Sequence, residues 1–195
     1  IVAARADGSV VMSRESDVYR GRTAVFGFDD AGNPVSAELT DEPSLDYRLV
    51  GRSGEELRVE VLGAGPLTAV FFPGPDEAGS AGQVGVTFVG PGRVVAVDRG
   101  DEITFEESLV SAGLTDSSTF DATLTGDVRA NVLLGDLRSE EIVASYAAGT
   151  GMVMRSSGPT RVSHRPAAGD ETYRMRAAGG MLARLTESGW YVERA

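Results

Sequence analysis

The chain has no cysteine and no lysine; its 18 basic residues are all arginine, and it carries one histidine, His164. Each absence removes a chemistry. Without cysteine there is no disulfide framework, thiol nucleophile or cysteine zinc site. Without lysine, a phosphate-binding P-loop lacks its ammonium group and Schiff-base catalysis lacks its amine. A single histidine cannot build a multi-histidine metal centre. No apolar run approaches the roughly 18 residues that a membrane-crossing helix needs, so no membrane partner is expected. What remains is paired carboxylates, a carboxylate-held Mg²⁺ or Ca²⁺, or a serine or tyrosine working with His164.

The rest of the composition is that of an ordinary folded chain. Of the 195 residues, 42% are hydrophobic and 24% charged, enough apolar material to bury a core. The formal net charge is -11. A field of that sign repels phosphate backbones, so nucleic acid is not expected as a partner. The charge is also uneven. Residues 1–150 hold 25 acids against 11 arginines, whereas residues 151–195 hold 7 arginines against Asp170, Glu171, Glu187 and Glu193. An acidic body joined to a basic tail suits docking of one copy on the next.

Short β-branched or aromatic stretches recur between Gly, Pro, Asp and Asn turns, which is strand grammar. Strands are expected around Ser9–Met12, Thr23–Phe28, Val35–Leu39, Asp46–Val50, Leu57–Leu62, Leu67–Phe72, Gln83–Val89 and Arg93–Val97. A second series follows at Phe120–Thr125, Val128–Leu134, Met152–Arg155, Thr160–His164, Thr172–Arg176, Met181–Leu185 and Trp190–Val192. A spacing near ten residues predicts a mainly β chain, an antiparallel β-sandwich or barrel-like arrangement. Two short helices are expected within it. Thr104 and Glu107 have capping-box spacing ahead of Leu109, Val110 and a terminating Gly113. Glu140 and Glu141 would favour the positive N-terminal end of a helix from Ser139 to Ala148, closed by Gly149. The organisation suggested is an N-terminal β-sandwich-like domain over 1–100 and a smaller β-rich domain over 101–195, with the boundary within 98–127. Pro73 to Gly82 reads as a surface loop.

No constellation of residues spells out an enzyme. His164 lies between Arg161 and Arg165 with no Gly-x-Ser-x-Gly elbow in the chain. Adjacent acids such as Asp29–Asp30 and Glu140–Glu141 would point to opposite faces of a strand, which makes them poor acid/base dyads. The loops Asp29–Asn33 and Asp98–Glu102 offer several oxygens for calcium but lack EF-hand spacing. Arg99-Gly100-Asp101 is a tripeptide expected often by chance. No catalytic residue, cofactor or resident metal is therefore assigned. The residues singled out for contact with a subunit or a glycan are Trp190, Tyr191, Tyr173, Arg174, Arg176 and Arg184, because aromatic faces stack on sugars and arginines pair with acids.

The segment Asp170–Val192 reads Thr172-Tyr173, then Gly179-Gly180, an apolar Met181–Leu185 stretch, and Gly189-Trp190-Tyr191-Val192. That order resembles the closing hairpins of tailed-phage fibre and head-fibre proteins, over the last 45 or so residues. The resemblance implies a virion structural role, as a capsid-decoration or fibre module meeting other virion proteins and forming a homo-oligomer, with a trimer favoured at a symmetry axis. It carries no catalytic residue. Two alternatives stand beside it: a secreted or cell-surface β module that binds glycan, and a carboxylate-dependent polysaccharide hydrolase or lyase.

Overall fold

The structure, a computed structural model, describes residues 3–14, 17–50, 56–63, 65–71, 84–97, 100–112, 119–132, 135–147, 151–164, 172–186 and 189–194. The expected loop at 73–82 lies outside them. The described residues form seventeen strands: β1 Ala3–Arg14, β2 Asp17–Phe28, β3 Pro34–Thr40, β4 Ser44–Val50, β5 Glu56–Gly63, β6 Leu67–Phe71, β7 Val84–Val89, β8 Gly92–Ala96 and β9 Asp101–Phe105. The series continues with β10 Ser108–Ala112, β11 Thr119–Val132, β12 Gly135–Ala147, β13 Gly151–Ser157, β14 Thr160–His164, β15 Tyr173–Ala177, β16 Met181–Thr186 and β17 Gly189–Arg194. Every ladder among them is antiparallel.

Many of these strands are halves of longer, bent passes. The two halves of β2 pair separately with β3 and β4; β3 and β4 in turn pair with β6 and β5, and these with β7 and β8. The same succession runs through β10 and β9, both ends of β11, then β12, then β13 with β14, then β16 with β15. The chain is thus an up-and-down meander in which each long pass turns a corner near its middle. The corners divide the meander into two layers. One layer holds β4, β5, β8, β9, β14 and β15, and the other holds β3, β6, β7, β10, β13, β16 and β17.

Alternation along the strands places the core between the layers. In the second layer a buried row runs Ala24, Leu39, Leu67, Phe88, Leu109, Leu124, Ile142, Ser156 and Met181, one residue from each successive pass. The facing row of the first layer runs Tyr19, Leu45, Val61, Val94, Ile103, Ala130, Leu137, Val162 and Met175. Aromatic rings join the two. Phe88 meets Phe105 edge-on at 5.9 Å between centroids, and Tyr19 meets Phe71 edge-on at 6.3 Å.

At the corners the backbone takes left-handed conformations: Asp41 and Glu42 between β3 and β4, Gly90 between β7 and β8, Gly126 and Asp127 within β11, and Gly158 between β13 and β14. Gly65 is required for a different reason, since a Cβ there would lie 1.3 Å from the carbonyl oxygen of Val89. Close backbone approach at the corner lets one pass nest inside the next.

The two expected helices are not formed. Residues 101–112 make β9 and β10, and 135–147 make β12. The amides at the supposed capping box serve the sheet instead: Glu106 N–H donates to Gly126 O at 2.7 Å and Glu107 N–H to Thr125 O at 3.1 Å, while Glu107 O accepts from Gly90 N at 2.7 Å. In β12, Leu137, Ser139, Ile142 and Ala144 are buried while Arg138 and Glu140 are exposed. Partners on both sides of β12 satisfy its backbone, and that outweighs the weak helical preference of Glu140–Glu141.

Candidate functional site: an arginine-lined cleft

On the outward face of the first layer, register aligns side chains from strands far apart in sequence. Arg129 on β11 stands opposite Thr104 on β9 and Arg138 on β12; Arg138 stands opposite Arg161 on β14, and Arg161 opposite Arg176 on β15. Beside this row runs another: Glu102, Asn131, Asp136, Ser163 and Arg174. Adjacent strands are about 4.8 Å apart, so four arginines form a strip roughly 14 Å long. The two rows line an open cleft of about 540 Å³. Five arginines there face two acids, Glu102 and Asp136, in a protein whose net charge is -11.

Asp127 controls one end of the strip. It occupies the corner of β11 with φ of 42°, and its Oδ2 accepts from Arg129 Nη2 at 2.6 Å while Oδ1 accepts from Arg138 Nε at 2.6 Å. The hydrogen bond from Arg129, then that from Arg138, holds the Asp127 carboxyl below the usual carboxylate range, and Asp127 in turn raises Arg129. The other end has no such anchor. Among the described residues, Arg161, Arg174 and Arg176 are exposed and have no carboxylate within ion-pair distance.

The six contact residues expected from sequence separate. Arg174 and Arg176 enter the cleft. Tyr173 lies on the opposite face of β15, 57% exposed, with its ring stacked against His164 at 6.5 Å and 26°. Together Tyr173 and His164 border a second, apolar cavity of about 350 Å³ between the layers, which Met154, Met175 and Met181 line. Arg184 is on β16 in the other layer, paired with Val153 and Tyr191. Trp190 pairs with Leu185, and the side chains of Trp190 and Tyr191 lie outside the described residues. The cleft also contains residues that sequence reasoning missed, Arg129, Arg138 and Arg161, and beside it stands Asp127, which anchors the first two. Their signal was the alternation in Arg129-x-Asn131, Asp136-x-Arg138, Arg161-x-Ser163 and Arg174-x-Arg176, which places each pair on one face of a strand.

The other candidate sites are less organised. Asp29 folds its loop inward, accepting from Asn33 N at 2.7 Å and Asn33 Nδ2 at 3.1 Å, and these bonds lower its pKa. Its oxygens thereby close the turn between β2 and β3. Asp98 and Arg99, of the other loop, lie outside the described residues. No group of three or more His, Asp or Glu poised to hold a metal occurs among the described residues. Ser163 and His164 are neighbours on a strand and so point to opposite faces, which separates them as a nucleophile–base couple. Comparisons of the chain with protein families, curated proteins and solved structures return no match.

Proposed function

We propose that the chain is a non-enzymatic structural module of a virion, one that assembles with copies of itself at a capsid or tail. The observation that carries this reading is the first strand. β1 is twelve residues long, pairs with β2 alone among the described residues, and every one of its residues described for burial is exposed or half-buried. A long strand with one free edge is a template for pairing with another chain. Val11, 58% exposed, adds apolar surface to it. The resemblance of Asp170–Val192, which spans β15 to β17, to phage-fibre closing hairpins is what suggests the virion setting.

Light scattering on the full chain tests the assembly. A stable oligomer, a trimer in the favoured case, is expected, and Val11→Lys should shift it toward monomer without lowering the melting temperature. A monomer at all concentrations overturns the reading. Peptides of this chain in density-purified particles from its source would support the virion setting, and their absence would count against it. The glycan-binding alternative rests on a different feature, the cleft.

A further inference from the structure

From the cleft we infer a binding site for an acidic oligosaccharide, a short chain of sugars bearing carboxylates of the uronate type. The site lies on the outward face of β11, β12, β14 and β15, so it goes beyond the assembly reading, which rests on β1.

Charge pairing supplies the first argument. Arg129 stands opposite Arg138 and Arg161 opposite Arg176. Like charges directly opposed across strands are destabilising. The first pair is relieved inside the protein, because Asp127 bonds to both guanidinium groups. The second pair has no carboxylate within ion-pair distance among the described residues, and Arg174 on the neighbouring row adds a third guanidinium in the same state. Guanidinium forks match carboxylate geometry in two-pronged hydrogen bonds, so Arg161, Arg174 and Arg176 present a preformed receptor for oxyanions.

The remaining lining selects among anions. Asp136, Ser163 and Asn131 share the cleft with the arginines. A carboxylate such as Asp136 accepts hydrogen bonds from sugar hydroxyls, while Ser163 and Asn131 both donate and accept, so the lining suits a ligand that carries hydroxyls beside its anionic groups. Among the described residues, no aromatic ring lines the cleft. Single-stranded nucleic acid is bound by stacking bases on such rings, and the surrounding field of a protein with net charge -11 repels a long polyanion. A ligand carrying both carboxylates and hydroxyls, short enough for a cleft of about 540 Å³, satisfies all of these conditions.

Calorimetric titration of the full chain with an oligouronate tests the site, with a neutral oligosaccharide of equal length, sodium sulfate and single-stranded DNA as the other arms. Binding to the oligouronate that weakens with added salt is expected, together with a loss of about tenfold in each of Arg161→Gln and Arg176→Gln. Arg155→Gln, on β13 in the other layer, should bind as the parent does. Circular dichroism melts confirm that each variant is folded. No oligouronate binding, equal binding of the neutral sugar, sulfate or DNA, or an equal loss in Arg155→Gln would each overturn the proposal.

Discussion

The ring of Phe88 fills the space that a side chain at Gly63 would need: a Cβ on Gly63 would lie 1.8 Å from Phe88 Cζ. Gly63 is paired with Gly92 across β5 and β8, and the same ring comes within 3.1 Å of a Cβ position there. The two glycines form a floor without side chains in one layer, and the largest apolar side chain on the facing β7 settles onto it. That contact sets how closely the layers approach near the corner.

Gly63→Ala should therefore destabilise the fold by about 1–3 kcal/mol through overpacking. Urea denaturation monitored by circular dichroism gives the value. Adding Phe88→Leu to Gly63→Ala should cost less than the sum of the two single changes, because the smaller side chain vacates the contested space. Strict additivity would show that the ring and the glycine do not share this contact.

A buried polar cluster holds the corner between β13 and β14. Thr160 Oγ1 donates to Ser156 Oγ at 2.7 Å, Ser156 Oγ accepts from Met181 N at 3.0 Å, and Ser139 Oγ donates to Ser157 O at 2.9 Å. All three side chains are nearly inaccessible, with Ser139 at 3%, Ser156 at 6% and Thr160 at 2% exposure. Thr160→Val keeps the shape and removes the hydroxyl, leaving its neighbours short of a partner. A loss of about 1–3 kcal/mol in chemical denaturation is expected; an unchanged midpoint would mean that the corner is held by packing alone.

Asp127 links stability to pH. Its carboxyl is lowered in the folded chain, first by Arg129 and then by Arg138. A group whose folded pKa is depressed stabilises the fold above its unfolded value, near 3.9 for an aspartate, and loses that contribution as pH falls through the folded value. Asp127→Asn should remove this part of the acid dependence and leave the melting temperature less sensitive to pH below about 4. Carboxyl carbon shifts followed by NMR should show Asp127 titrating below the value of an aspartate in an unstructured peptide, near 3.9; a titration at or above it would contradict the pairing.

Asp46, whose side chain is 13% exposed, accepts from Arg58 Nε at 2.7 Å, with Arg58 Nη2 on its other oxygen and Arg20 Nη1 at 4.0 Å. Asp46→Ala leaves two arginines without this carboxylate between β2, β4 and β5. Because Arg58 and Arg20 remain partly exposed, the expected cost is about 1 kcal/mol rather than the larger penalty of a fully buried pair. Thermal melts in low and high salt check it, and the difference between parent and variant should shrink as salt screens the pair.

Most strands were legible because each is bounded by turn residues and has a buried face at every second position. β2, β3, β5, β6 and β7 are cases of this kind: Ala37 and Leu39 are buried on either side of exposed Glu38. β9, β10 and β12 were not legible. Their local signals, a capping-box spacing at Thr104 and Glu107 and a pair of glutamates at 140 and 141, favour helix. Only partners more than a dozen residues away, such as Thr125 for Glu107 and Ser156 for Ile142, override them. The cleft followed the same rule. Arg174 and Arg176 were visible as a basic pair in a basic tail, but nothing near them in sequence pointed to Arg129 or Arg138.

By itself, the sequence determined which chemistries were unavailable, through the missing lysine and cysteine and the single histidine, and which face of each strand would be polar, because alternation is a property of the local backbone. Tertiary structure decided which polar faces stand side by side. Strand register depends on corners such as Gly126-Asp127 and on which pass pairs with which. A one-residue slip would turn Arg138 and Arg161 into the core. The meander in its actual register instead gathers five of eighteen arginines into one cleft of an acidic protein.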